Sequence, residues 1–406
     1  MASLVFEMAE GRPLTGDLRN RIAARVASLR LESCTPSMGS LARDPVHHST
    51  YYLVVDTAQG PPQLLHMALA SAPTSSVFPK PLLIGRVRRA DGAEAVINAI
   101  LFGPSDTGTL EKYVSRVDSA FLPRLLGPRG AIVAAPEDPE TGLAAAFDAF
   151  RRILKRTGRN VAAIETAAPA YDAGLRAAVR AGWRDGYSAG VALRAEEAGR
   201  EAIREAARFT RFRIDVAGLM VESGDAVEER FGAGFTAGER GWILGEFVRR
   251  FEAGGAAYEL TAAEAARMAV RLGPALKACE RLHEWIREAR SVAGAGRGFD
   301  FELALPRASA PELLFSLHWM KAREHAAQCI DPGAMAEGEL EASLPEFAAI
   351  GRHYGCRLTV SEGCGRTGAA IGAMARAGAG RVNFRVSGEA AGYAQYLSRI
   401  AGILSG

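Results

Sequence analysis

Between Phe299 and Gly388 one short pattern recurs three times: an apolar stretch of strand length, ending in a polar or charged residue, then a helical stretch. The strands read Phe299-Asp300-Phe301-Glu302-Leu303, Arg357-Leu358-Thr359-Val360-Ser361-Glu362 and Arg381-Val382-Asn383-Phe384-Arg385. Strands alternating with helices at this spacing are βαβ units, and βαβ units build a parallel sheet. The rhythm starts near residue 128. Candidate strands are 131–135, 161–166, 190–193, 212–216, 257–260, 299–303, 326–330, 358–361 and 382–386. Helical stretches are expected at 140–155, 239–252, 262–290, 311–321, 339–353 and 388–403, with Gly273-Pro274 kinking or dividing the third. In 140–155 the apolar residues Leu143, Phe147, Phe150 and Leu154 keep one helical face.

Nine candidate strands without a GxGxxG or phosphate-loop signature fit an α/β (β/α)8 TIM-like barrel better than a nucleotide-binding sheet. Such a barrel needs about 250 residues, which 126–406 supplies. No nucleotide cofactor is expected. The Gly-rich run 292–298 precedes a strand, whereas a dinucleotide loop follows one. Residues 1–125 differ: strands at 51–56 and 82–87 are separated by Pro/Gly/Ser-rich stretches, giving a mixed α/β N-terminal extension. His47-His48 reads as a loop feature.

The chain of 406 residues carries a net charge of +3, with Arg interleaved among Asp and Glu, so a nucleic-acid partner is not expected. Five scattered cysteines without a CxxC pair give neither a zinc ribbon nor a disulfide framework and suit a reducing cytoplasm. No apolar run of about 18 residues occurs, so no membrane span is expected. Residues 1–12 do not have the order of a secretory signal. A homo-oligomer is compatible with the sequence.

In parallel α/β folds the C-terminal ends of the strands carry the active site. Those ends deliver Glu165, Asp215, Glu302, Asp331, Ser361 with Glu362, and Asn383 with Arg385. Clustered carboxylates repel and need a cation or shared protons. A divalent metal (Mg, Mn or Zn) on Asp215, Glu302 and Glu362 would satisfy them and assist proton transfer beside a carbonyl. The other reading makes each acid a helix cap or an Arg partner. Ser361–Gly368 follows a strand and enters a helix, and its Arg366 could grip a carboxylate or phosphate. Arg366 and Arg385, on adjacent loops, require an anion between them or neutralisation by Glu362 or Glu389. No histidine ends a strand, which argues against a three-His zinc hydrolase and a Ser-His-Asp triad. None of the five lysines does either, which argues against a Schiff-base aldolase.

The succession of Arg213-Ile214-Asp215-Val216-Ala217-Gly218-Leu219, Phe301-Glu302, Ala310–Phe315, Gly351-Arg352-His353-Tyr354-Gly355, Arg357–Ser361, Gly363, Arg366 and Asn383–Gly388 resembles the tagaturonate epimerases over roughly residues 210 to 390. The resemblance implies a barrel-like fold, a bound metal and interconversion of the hexuronates tagaturonate and fructuronate. It implies catalytic roles for Glu302 and Asp215, and substrate binding by Arg366, Arg385, Ser361 and Asn383. Three family histidines are replaced. Ala217-Gly218, Ser361-Glu362-Gly363 and Asn383-Phe384-Arg385 stand where the family has a metal-binding His, His-Ser-Gly and His-x-Lys. Arg366 and Arg385 stand where Lys is expected. The implied function is a sugar-acid epimerase or isomerase with an all-oxygen metal site or altered chemistry. The alternative is a sugar-acid-binding barrel that has lost catalysis.

Overall fold

A computed structural model describes Phe6 and residues 14–28, 34–58, 60–71, 77–104, 106–125, 131–222, 224, 226–253, 256–333, 337–363, 382–388 and 397. The chain divides into two compact units, Met1–Leu122 with Asp172–Gly186, and Pro123–Tyr171 with Tyr187–Gly406.

The first unit contains an antiparallel sheet of β1 (Cys34–Pro36), β2 (Ala42–Arg43), β3 (Thr50–Thr57), β4 (Gln63–Leu69), β5 (Leu83–Arg88) and β6 (Glu94–Leu101), ordered β1-β3-β4-β6-β5 with β2 on β3. Alternation sends Tyr51, Leu53 and Val55 to one face, where they pack with Leu65, Met67 and Ala99 and with Leu18 and Ile22 of the helix Gly16–Ser28. The segment 172–186, lying in sequence between two strands of the second unit, groups here. Its backbone closes on the first unit at Gly39 and Gly182, where a Cβ on Gly39 would stand 2.7 Å from the Gly182 Cα. Arg184 fixes the approach by donating to Asp118 and to the carbonyls of Gly39 and Leu41. His47 and His48 lie in the loop before β3, and Asp44 accepts from the His47 amide.

The second unit is a closed barrel of eight parallel strands. These are β7 (Ile132–Pro136), β8 (Ala162–Glu165), β9 (Ser188–Arg194), β10 (Arg211–Asp215), and, after a hairpin of β11 (Arg250–Ala253) and β12 (Ala256–Glu259), β13 (Asp300–Ala304), β14 (Cys329–Asp331), β15 (Arg357–Gly363) and β16 (Val382–Gly388). Each strand pairs with the next, and β16 closes on β7 through Phe384↔Ile132. Eight of the nine strands expected from the sequence form this barrel. The ninth, 257–260, is instead β12, whose partner is the antiparallel β11.

The first barrel helix shows how local chemistry sets an element. Asp138 caps Pro139–Thr157 by accepting from the Glu140 amide, proline occupies its first turn, and Gly158 ends it at φ 65°. Leu143, Ala146, Phe147, Phe150 and Ile153 are buried along one face. The helix Ala262–Val292 runs 31 residues, about 46 Å, and Pro274 does not divide it. The stretch expected as 239–252 ends earlier, with the helix Ala237–Phe247, and the chain turns into β11. The last expected helix, 388–403, lies outside the described residues except for Gly388 and Leu397.

Candidate functional site in the barrel lumen

Parallel strands covered on both faces ordinarily read as continuous apolar runs. These strands alternate instead. Phe212, Ile214, Phe301, Leu303, Ile330, Leu358 and Val360 are buried. The intervening positions are Arg211, Arg213 and Asp215, Asp300 and Glu302, Cys329 and Asp331, Arg357, Thr359 and Ser361. Ion pairs between these latter side chains across several strands place them inside the barrel.

The registers, with the stagger of about eight residues that closes such a barrel, arrange the inward positions in layers drawn from alternate strands. Nearest the N-terminal end are Asp300 and Arg357, joined at 3.1 Å. Above them is Arg211. Next come Val133, Gly190, Glu302 and Thr359. The layer above that is Glu165, Arg213, Asp331 and Arg385, in which carboxylate and guanidinium alternate around the ring. Among the described residues the layer over this tetrad is small: Ala135, Ala192, Ala304 and Ser361. Ala192 is exposed although it faces inward, so among the described residues the tetrad forms the floor of a cup at the C-terminal mouth.

The charges are individually matched. Arg211 donates through Nε (2.9 Å) and Nη2 (2.5 Å) to Glu302 Oε2, and Thr359 Oγ1 donates to the same oxygen at 3.1 Å. Arg213 Nη2 donates to Asp331 Oδ2 at 2.9 Å, and its Nε lies 3.6 Å from Glu302 Oε1, so Arg213 bridges two acids. Asp331 Oδ2 also accepts from Ser361 Oγ at 2.5 Å, and Oδ1 accepts from the Gly333 amide at 2.8 Å. Arg385 donates through Nε (2.8 Å) and Nη2 (2.6 Å) to Glu165 Oε1. Four arginines thus balance four acids. Burial works to raise the pKa of Glu165, and the guanidiniums of Arg385, Arg211 and Arg213 outweigh it, leaving the carboxyl below its ordinary value. Burial disfavours the charge on Arg211, and Glu302 and Glu165 more than restore it. Burial pushes the Cys329 thiol up to about 11, so it is no nucleophile at neutral pH.

Three polar groups of the cup floor have spare capacity. Glu165 is 4% exposed, and its Oε2 is buried without a hydrogen-bond partner. Arg213 and Arg385 are partly exposed, at 13% and 20%, and each uses Nε and Nη2 on a carboxylate. Their Nη1 groups have no hydrogen-bond partner among the described residues.

Of the residues singled out by sequence, Glu302 and Ser361 join this network and Arg385 enters the same lumen. Glu302 is fully buried one layer beneath the floor. Asp215 ends β10, and its Oδ1 accepts from the Ala217 amide, which caps the following turn. Asn383 and Glu362 take their strand positions opposite Thr359 and Val386, and their side chains lie outside the described residues, as does all of Arg366. The neutralising partner of Arg385 is Glu165, rather than Glu362 or Glu389. Arg211, Arg213 and Thr359 were not singled out by sequence. The strict polar–apolar alternation of β10, β13 and β15 is the signal that marks them.

The described residues do not suit the implied metal site. No group of three His, Cys, Asp or Glu among them is placed to hold an ion. Of the three expected ligands, Glu302 is taken up by Arg211 and Thr359, and Asp215 by a backbone amide.

No family model matches the chain, and no curated protein matches it. Among solved structures, the native fructuronate-tagaturonate epimerase UxaE from Cohnella laeviribosi superposes with a TM-score of 0.66 at 15% identity, over 91% of this chain and 74% of that one. Its complexes with one and two glycerol molecules give TM-scores of 0.67 and 0.65 at 16% identity over the same shares. At such identity the likeness establishes the barrel fold.

Proposed function

We propose that the cup binds a sugar acid of the hexuronate type and that the protein moves a proton next to its carbonyl, as an epimerase or isomerase. The observation that carries this reading is the tetrad floor: two partly exposed guanidiniums with unused N–H groups beside a buried, ionised carboxylate with an unused oxygen. Polyhydroxy ligands offer donors and acceptors to match both. The Nη1 groups of Arg213 and Arg385 donate to the substrate's carbonyl and carboxylate oxygens, and a guanidinium facing an oxygen that gains charge stabilises the enediolate. Glu165 Oε2 is the acceptor for the proton on the neighbouring carbon, and protonation of the enediolate from its other face, by solvent or after the enediolate turns over in the site, would invert that centre. The likeness in fold to the fructuronate-tagaturonate epimerase supports the choice of ligand class.

The test is incubation with tagaturonate and with fructuronate in D2O, followed by proton NMR. Deuterium entering beside the carbonyl supports the reading, and Glu165→Gln should abolish the exchange while retaining binding. Absence of hexuronate binding at millimolar concentration refutes it. A second reading, a binding barrel without catalysis, draws on the ion pairing of Glu165, Glu302 and Asp331, which weakens each as a base. Binding without deuterium uptake selects it.

A further inference from the structure

We propose that this barrel operates without a resident divalent cation and that the guanidinium of Arg213 is the fixed positive centre in its place. The inference rests on how the acid oxygens are used and does not depend on which ligand the cup accepts.

A hard divalent cation takes six or more oxygen ligands, several from carboxylates. In the lumen those oxygens are already engaged. Asp331 Oδ2 accepts from Arg213 Nε and Nη2 and from Ser361 Oγ, and its Oδ1 from Gly333. Glu302 Oε2 accepts two bonds from Arg211 and one from Thr359, while its Oε1 faces Arg213. Glu165 Oε1 accepts two bonds from Arg385. Among these three acids Glu165 Oε2 and Glu302 Oε1 accept no hydrogen bond, and the latter has the Arg213 guanidinium 3.6 Å away, which leaves two ligand atoms on two acids where several are needed.

Two of the positions where an imidazole is implied by resemblance carry none, being Gly218 and Ser361. Ser361 at the second position is committed to Asp331. Arg213, by contrast, does what a metal would do electrostatically. It spans Glu302 and Asp331, two acids from different strands that would otherwise repel, and remains 13% exposed toward any occupant of the floor. Unlike a metal it cannot be removed by a chelator, and its charge persists at all working pH values.

The experiment measures metal content and thermal stability of the full chain purified without chelator. The expected result is substoichiometric Mg, Mn, Zn, Fe, Co and Ni, and a melting temperature that changes by less than about 1 °C on adding EDTA or millimolar Mn²⁺ or Zn²⁺, because an ion that binds the native state must raise it. Arg213→Met leaves Asp331 without its cation, so this variant should melt lower and regain part of the loss with Mn²⁺. Arg213→Lys, which keeps the charge, should stay close to wild type and indifferent to metal. One equivalent of copurifying metal, or a melting temperature that falls by several degrees in EDTA, overturns the proposal. So does an Arg213→Met protein as stable as wild type. If Arg213→Met does not fold, the wild-type measurements and Arg213→Lys decide alone.

Discussion

Arg211 and Glu302 should behave as a single structural unit, and a double-mutant cycle measures this. Their side chains are 3% and 0% exposed and meet through two hydrogen bonds to one oxygen. Removing one partner of such a pair strands a buried charge, at about 3–5 kcal/mol. Arg211→Met leaves Glu302 with only Thr359 and the more distant Arg213, and it also removes part of the field that keeps Glu165 ionised, so the upper half of that range is expected. Glu302→Leu strands Arg211, whose Nη1 already lacks a partner, and should lose a similar amount. The double variant buries two apolar chains of comparable volume. Its residual loss should be about 1–2 kcal/mol, from the weakened support of Glu165, so the two changes couple by several kcal/mol. Urea unfolding at pH 7 is the assay, followed by fluorescence of Trp242, Trp285 and Trp319, which lie in the second unit. Two single losses that simply add, within about 0.5 kcal/mol, would refute the reasoning. So would a double variant weaker than either single one. If the cup floor is the ligand site, the double variant should also bind ligand nearly as wild type does, because Glu302 lies beneath that floor.

The barrel was legible because its strands and helices alternate in chain order, so that each barrel strand pairs with the next one and the last returns to the first. The errors came where local signals are degenerate. The segment 257–260 has the length and apolarity of a barrel strand, yet a short turn after Arg250–Ala253 lets it pair as a hairpin. Pro274 lacks only one amide donor and is tolerated inside a long, well-buried helix. In the first unit β4, Gln-Leu-Leu-His-Met-Ala-Leu, and β6, Glu-Ala-Val-Ile-Asn-Ala-Ile-Leu, are rich in helix formers, and pairing along seven positions overrides that preference.

Strand ends were a sound guide to the mouth of the barrel and a poor guide to its interior. Glu165, Asp331 and Arg385 were visible there, and the structure puts all three in the floor layer. Which acid meets which cation was not visible. That depends on the stagger of the closed barrel, which brings Arg213 of β10 level with Asp331 of β14, two strands away, while its immediate neighbour on β13 is Glu302. Alternation within β10, β13 and β15 would have shown a polar lumen and turned attention from clustered carboxylates in need of a metal to four carboxylates beside four arginines.

Two further outcomes are expected. Gly39→Ala places a Cβ against the Gly182 backbone and should destabilise the first unit by about 1–3 kcal/mol, whereas Gly245→Ala, exposed in the helix Ala237–Phe247 with open space around it, should stabilise by about 0.5–1 kcal/mol; thermal melts of both check the contrast. The last concerns His283, whose ring packs against Phe299, Phe301 and His325. Burial first, then the charges of His325 and Arg287, lower its pKa from 6.5 to about 4. The folded state therefore keeps the ring neutral while the unfolded chain takes up a proton, so stability falls as pH drops from about 6.5 to about 4. The full shift corresponds to about 3 kcal/mol, and partial solvent contact of the ring reduces the expected loss to about 1–2 kcal/mol. His283→Phe removes the titration, and the difference in unfolding free energy between variant and wild type should move in the variant's favour between pH 7 and pH 4.5. A difference that stays constant across that range would mean that His283 takes up its proton over the same pH range folded as unfolded, and that the aromatic cluster around it accommodates a charge.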